Sequence, residues 1–567
     1  MQKEFFDEII EAIKHEPHSK MDVSRLKLKL CERYKIRQPP TDIEILLNAE
    51  EKDLPLLKKT LLTKPTRSIS GVAVVAIMCR PHKCPHGKCS VCPGGPASHF
   101  GDVPQSYTGR EPATMRALRH NFDPYLQVFN RLEQYVVAGH IPDKVELIIM
   151  GGTFPSTSKS YQKSFVKYAL KAMNDFSGLF FADHELRLAE FKTFFELPGG
   201  VGDEKRIDSI MKRLLKLKNK TKSSLEKEQA RNETSKIKCV GMTVETRPDY
   251  GRLKQGNFAL SLGATRVELG IESVFDDILV NIERGHDVAE SKRSIQELKD
   301  IGFKLNFHYM LGLPGSSPQR DIDGLNRLFS DPDFQPDMLK IYPCMVLKGT
   351  KLYDLWKAGS YSPLTTDQAA RIICEFKRVV PKYVRIMRIQ RDIPTKQTEA
   401  GVDRTNLRQY VDQLCRAKRI RCRCIRCREV GRAEKLGKVG ITVMKYPASG
   451  GTEFFIAAED TKNDVLVGFT RLRFPGSQLR KEITKKSALL RELHVYGQTA
   501  AVGEKTATGA EAKSQHRGYG RQLVRKAEQI AKQHGYNKMI IISGIGVREY
   551  YRKFGYKKEG PYMVKRI

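Results

Sequence analysis

No apolar run in the sequence approaches the ~20 residues that a membrane-crossing helix needs. The longest, Gly71 to Cys79, falls far short. A secretory leader is missing too. Met1 to Ile13 instead mixes acidic and apolar residues at helical spacing, through Phe5, Phe6, Ile9, Ile10 and Ile13. These absences argue against a membrane partner and predict a cytoplasmic protein. Acid is also scarce relative to base: 65 Asp and Glu stand against 99 Lys and Arg, a net of +34. Such an excess draws polyanions and favours phosphate contacts, although charge alone does not separate RNA from DNA. The plainer alternative is a generic basic surface suited to a salty or hot cell. Otherwise the composition is that of a globular protein, 40% hydrophobic and 29% charged, and 567 residues allow roughly three to four domains.

The chain changes pattern three times. Residues 1–70 look helical and basic, with leucines such as Leu26, Leu30, Leu57 and Leu61 among lysines and with Pro39, Pro40 and Pro65 as punctuation. From residue 71 to 399 short apolar runs alternate with helical stretches. The runs are Val72–Met78, Val145–Met150, Cys239–Val244, Arg266–Ile271, Lys304–Met310 and Met338–Tyr342, with Tyr383–Ile389 as a seventh candidate. Short buried strands alternating with helices predict an α/β fold with a parallel sheet, open or closed into a partial barrel. Within it, Lys205 to Lys238 is so charged that it predicts a long exposed helix or a mobile insertion. Residues 400–437 form a basic connector that carries cysteines. Residues 438–567 read as a mixed α/β domain, with strands at Ile441–Tyr446, Glu453–Ala458 and Val465–Arg473 and a helix after Gly520.

Seven of the 12 cysteines fall in two tight clusters, Cys79 to Cys92 and Cys422 to Cys427, which in a large cytosolic chain points to metal more than to disulfides. Cys84, Cys89 and Cys92 follow the first strand with four and then two intervening residues. Three thiolates can hold three irons of a 4Fe–4S cluster and leave the fourth open to chelate S-adenosylmethionine. A structural zinc site with Cys79 as fourth ligand is the alternative, but the end of the first strand of a parallel barrel favours the cluster. Gly151 and Gly152 end the second strand, where bare backbone could meet the methionyl amine. Glu245, Arg247 and Asp249, and then Glu272 and Ser273, end later strands and could hold a ribose or that amine; helix capping and surface pairing explain them equally well. The second cluster, Cys422, Cys424 and Cys427, lies among Arg419, Arg421, Arg423, Arg426 and Arg428. It predicts a structural zinc with Cys374 as fourth ligand, Cys415 being the other candidate.

Near the C-terminus, Gln515, Gly518 and Gly520 open a helix in the manner of the pyrophosphate loop of GNAT-type acetyltransferases. Leu490–Tyr496 supplies a strand whose backbone could pair with pantetheine. Tyr550 and Tyr551 lie downstream, where a tyrosine could protonate the CoA thiolate or simply fill core.

Together these residues resemble one family, the catalytic subunit of Elongator, the tRNA wobble-uridine carboxymethyl transferase, from Val72 to Ile567. The resemblance rests on Cys84–His86, Cys89–Gly95, Gln105–Gly109, Met150–Phe154, Glu245–Asp249, Arg491–Gly497 and Glu559–Lys565. It implies a radical-SAM partial (β/α) barrel joined to a GNAT domain, with cluster ligands at Cys84, Cys89 and Cys92. It implies acetyl-CoA contacts at Lys144, at Glu492, Leu493, His494 and Val495, at Tyr519, Gly520, Arg521 and Gln522, and at Tyr551. It further implies that a 5′-deoxyadenosyl radical takes a hydrogen from the acetyl methyl group, that the carbon radical adds to carbon 5 of the wobble uridine, and that oxidation and thioester hydrolysis then leave a carboxymethyl group on the base. The implied partners are the tRNA anticodon stem-loop and an electron donor. The compact cysteine loop and the cysteine trio resemble an archaeal or bacterial type that acts as a homodimer or a stand-alone monomer. The rivals are a protein lysine acetyltransferase with a vestigial iron–sulfur domain and a non-enzymatic tRNA scaffold.

Overall fold

The computed structural model describes residues 2–15, 19–61, 71–182, 185–199, 203–433, 435–496 and 518–567. Two compact units result. Residues 1–75, 124–145 and 167–239 form the first, and residues 76–123, 146–166 and 240–567 form the second.

In the first unit the amphipathic helices Gln2–His15, Lys20–Arg33, Asp42–Asn48 and Leu54–Leu61 bury Phe5, Ile9, Ile45, Leu57 and Leu61. Ser19 and Thr41 close capping boxes at two of their starts. The stretch 205–238 is neither one exposed helix nor an insertion. It folds as Glu204–Lys220 and Leu225–Thr234, divided at residues 221–224. The second of these helices buries Glu228 and Asn232 against Asn174, whose amide donates to Glu228 at 2.8 Å. Sequence polarity hid this helix because its buried face is polar and hydrogen-bonded.

Seven strands build the barrel sheet: β1 (Ala73–Met78), β2 (Lys144–Met150), β3 (Lys238–Thr246), β4 (Arg266–Glu272), β5 (Lys304–Leu311), β6 (Met338–Pro343) and β7 (Arg385–Ile389). Their spatial order follows the chain, and the β3–β4, β4–β5, β5–β6 and β6–β7 pairs are parallel. Sequential parallel neighbours joined by helices are the pattern of a (β/α) half-barrel, as predicted. The C-terminal sheet is mixed. Strands β8 (Gly440–Ala448), β9 (Gly451–Asp460), β10 (Val465–Phe474), β11 (Ser487–Val495), β12 (Lys538–Ile541), β13 (Lys557–Glu559) and β14 (Tyr562–Arg566) lie in the order β8-β9-β10-β11-β12-β14-β13. Only β11 and β12 pair in parallel.

The two sheets of the second unit are joined by buried ions. Arg491 clamps Asp337 through two hydrogen bonds of 2.8 and 2.7 Å, with both side chains essentially free of solvent. Asp337 stands at the foot of β6 and also accepts the Leu305 backbone N–H. Arg473 forks onto Asp300 at 2.8 and 2.5 Å. Arg471 pairs with Glu492 at 2.8 Å and donates to the Tyr383 carbonyl. Glu453 lies between Arg473 and Arg491, at 3.1 and 2.9 Å. Paired and fully hydrogen-bonded charges can be buried, whereas one left alone cannot. Arg491 holds the Asp337 carboxyl well below the usual carboxylate range, although burial opposes this. Replacing Arg491 with Met is therefore expected to lower stability by about 3–5 kcal/mol, read as a fall in the urea midpoint. Adding Asp337→Asn should restore part of that loss. A single-variant loss below about 1 kcal/mol, the level of a surface pair, would show that the clamp is dispensable.

Candidate active site

The cysteine loop leaves the C-terminal end of β1, where parallel folds place their chemistry. Cys84, Cys89 and Cys92 are all buried. Each sulfur has a polar neighbour. Cys84 Sγ lies 3.2 Å from the Thr153 hydroxyl, Cys89 Sγ lies 3.1 Å from His86 Nε2 and 3.6 Å from Arg284, and Cys92 Sγ accepts the Ser106 N–H at 3.3 Å. Donors and a guanidinium aimed at thiolates suit the negative charge of a thiolate-bound cluster. Burial raises the Cys84 and Cys92 thiols, so metal binding there must displace protons. The loop is tied down by Gln105, which accepts the Cys84 N–H and donates to the Gly87 carbonyl at 3.1 Å. Cys79 stands apart. Burial pushes its thiol up to about 12 and it donates to the Gly151 carbonyl.

Gly151 and Gly152 both have positive φ, 119° and 84°. A Cβ on Gly151 would strike Cys79 Sγ at 2.6 Å, so side chains are barred from this floor. Glu272 adopts φ 63° and pairs with Arg284 at 3.2 Å. Arg247 is bidentate to Asp249 at 2.9 Å and donates to the Arg284 carbonyl. Glu245 accepts from Tyr107 at 3.0 Å and lies 3.3 Å from Lys340. Of the strand-end carboxylates singled out in the sequence, Asp249 and Glu245 thus serve internal pairs, and Glu272 stays beside the cysteine loop.

The acetyl-CoA signature sits on β11. This strand pairs with β12 only through Ser487–Leu490, while its pairing with β10 continues to Val495. A bulge opposite Arg471 and Leu472 aims Arg491 at Asp337 and Glu492 at Arg471. Glu492, Leu493, His494 and Val495 thus run on past the end of the β12 pairing. Gly518, at φ 80°, caps the helix Tyr519–Gln533, and the first N–H groups of a helix have no partner within it. Tyr519, Gly520, Arg521 and Gln522 form that first turn. A Cβ on Gly520 would meet the Tyr550 hydroxyl at 2.5 Å. Tyr551 is buried and Tyr550 is more exposed; burial raises both phenols. Burial lowers His494 to about 4, so it is neutral. Gln515 lies outside the described residues. Lys144 belongs to the first unit, where it lines a cavity of about 620 Å³ with Asn174, Arg231, Lys236 and Lys238.

Cys422, Cys424 and Cys427 converge, with their sulfurs all within 4.8 Å of one another. Hydrogen bonds from Cys422 and then Cys427 hold the Cys424 thiol well below the usual thiol range. Cys374 does not join them. Its sulfur lies 3.0 Å from that of Cys415, because the helices Thr366–Phe376 and Leu407–Ala417 pack through the faces that carry these two residues. The expected fourth ligand is thereby corrected. Sequence reasoning also missed the inner-face residues Glu268, His308 and Lys340, whose strand positions look like ordinary polar alternation.

Residues 2–69 match the ELP3 N-terminal domain, 336–417 the radical SAM C-terminal domain and 441–556 the GNAT acetyltransferase family. The tRNA uridine(34) acetyltransferase of Methanocaldococcus infernus is 47% identical over 536 residues, covering 93% of this chain and 92% of that protein. Elongator complex protein 3 of Saccharomyces cerevisiae is 38% identical over 563 residues, covering 96% and 92%. The solved structure of archaeal M. infernus Elp3 with an N-terminal deletion superposes with a TM-score of 0.71 at 41% identity, over 88% of this chain and 100% of that one. Identity at this level across both sheets and the cysteine loop settles kinship: the chain belongs to the Elongator complex protein 3 family, with the archaeal tRNA uridine(34) acetyltransferases among its relatives.

Proposed function

We propose that the chain is a tRNA-modifying enzyme that builds 5-carboxymethyluridine at the wobble position of the anticodon from acetyl-CoA and S-adenosylmethionine. One observation carries this: the cysteine loop and the CoA-type strand and helix stand on the same compact unit, joined by the arginine clamps. A lysine acetyltransferase would need no such loop, and the family relatives are named for the tRNA reaction.

Cys84, Cys89 and Cys92 would hold a 4Fe–4S cluster, which when bound supplies the electron that cleaves S-adenosylmethionine to a 5′-deoxyadenosyl radical. Gly151 and Gly152 keep the floor beside it bare for the methionyl end, and Glu272 offers a carboxylate to its amine or ribose. The backbone of Glu492–Val495 would pair with pantetheine, and the N–H groups of Tyr519–Arg521 would face the pyrophosphate. Tyr550 and Tyr551 stay protonated at neutral pH because burial raises them, so either can give a proton to the departing CoA thiolate. Lysines and arginines of residues 20–68 and of the connector would grip the anticodon arm through phosphates, leaving an unpaired base to be extruded. An external electron donor completes the set. Among the described residues no helix is long and apolar enough to cross a membrane, which suits a tRNA enzyme of the cytoplasm.

The trio Cys422, Cys424 and Cys427 would anchor a structural zinc. Three convergent sulfurs fit that ion, and a fourth position is left to a ligand from outside the trio.

Nucleoside mass analysis of tRNA treated with reduced, reconstituted protein and both cofactors should reveal carboxymethyluridine. Cys89→Ala should abolish it while leaving CoA binding by calorimetry intact. Absence of the nucleoside with wild-type protein would refute the proposed reaction. For zinc, metal analysis should find about one equivalent per chain, lost in Cys424→Ser together with part of the thermal stability. Full zinc in that variant would place the ion elsewhere.

A further inference from the structure

The inner face of the barrel carries a row of ionic side chains that holds neither the cysteine loop nor the CoA strand. Lys340 on β6 touches Glu268 on β4 and lies 3.3 Å from Glu245 on β3. His308 on β5 meets the same Glu268 oxygen at 2.9 Å. Arg266, at the foot of β4, reaches Glu146 at 2.6 Å and Glu268 at 3.3 Å. Such a row costs more to bury than apolar side chains of the same size, so packing does not explain it. Nor does a metal. The ligand atoms of Glu245, Glu268 and His308 lie close enough for a cation, but the Lys340 ammonium already bridges the two carboxylates.

Asn306 lies in this row with its side chain unpartnered among the described residues. Side chains alternate along β5. Tyr309 points to the helix Pro318–Ser330, where a Cβ on Gly324 would strike its hydroxyl, so Asn306 and His308 point inward. Asn306 pairs in register with Glu268 on one side and Met338 on the other. It is fully buried, and neither its amide oxygen nor its amide nitrogen has a partner among the described residues. An unmet buried donor or acceptor costs about 1–3 kcal/mol, and native proteins keep few of them. An ammonium has three N–H donors, and the two carboxylates use two of those of Lys340.

We propose that Asn306 and Lys340 form the seat of the target uracil and set the choice of base. This rests on the wobble-uridine reading above. A uracil offers an acceptor, a donor and an acceptor along O4, N3–H and O2. The Asn306 oxygen would accept N3–H, its NH₂ would donate to a neighbouring carbonyl, and the spare Lys340 N–H would meet O4. Cytosine would set its own amino donors against an ammonium that cannot accept. The Tyr342 ring, 5.5 Å from that of His308, gives the base an aromatic neighbour.

The test uses the full chain and anticodon hairpins that differ only at the wobble base: uridine, N3-methyluridine or cytidine. Binding is read by fluorescence anisotropy without cofactors. Wild type is expected to bind the uridine hairpin about tenfold more tightly than the other two, and Asn306→Ala should bind all three within about twofold. Equal affinities in wild type, or an unchanged preference in Asn306→Ala, overturn the seat. Asn306→Asp keeps the shape and loses the NH₂; it too should lose the preference, and it decides the matter if the alanine variant does not fold. Carboxymethyluridine formed on the uridine hairpin by reconstituted wild type separates the two ideas. If it is absent, the proposed reaction fails; if it is present with an unchanged preference in the variants, only the seat fails.

Discussion

Arginines 471, 473 and 491 hold the second unit together. Each lies on a strand of the CoA-type sheet, yet each bonds to the barrel: to Asp300, to Asp337 or to the carbonyl of Tyr383. Arg471 faces Glu492, Arg473 faces Asp300 and Arg491 faces Asp337, so each buried guanidinium has its own carboxylate. Bidentate geometry makes the pairing directional as well, since a guanidinium fork matches one carboxylate orientation. An apolar seam could slide or re-pack, whereas this one fixes the angle between the sheets.

That angle decides where chemistry can occur. Asp337, Lys304 and Arg385 mark the feet of barrel strands, and the cysteine loop leaves β1 at the opposite end. The CoA strand approaches the feet: Arg385 bonds the Tyr496 hydroxyl at 2.9 Å, and Lys304 helps lower the Glu492 carboxyl, though burial opposes it. Between the two ends run Glu146, Arg266, Glu268, His308 and Lys340. The barrel interior is therefore lined by paired charges between the cysteine loop at one end and the GNAT-type strand at the other.

Much of this was legible in the sequence. Short apolar runs announced all seven barrel strands, including the least certain, Arg385–Ile389. The cysteine spacing after the first run announced the loop, and the glycines before residue 521 announced the CoA helix. What stayed hidden has one physical cause. Arg471, Arg473 and Arg491, like Glu268 and Lys340, are charges on strands, and sequence cannot say whether such a charge meets water or a partner from a distant segment. The polar helix Leu225–Thr234 was misjudged for the same reason. Cys374 was paired with the wrong group because separation along the chain does not reveal which helix faces meet.

Ionic joints have a manufacturing consequence. Were the chain cut within the connector and its halves made separately, the exposed faces would carry rows of charge that water solvates well beside aromatic contacts such as the Tyr383–Tyr446 stack. Such halves should stay soluble apart, find each other by electrostatic steering, and rejoin less readily as salt is raised.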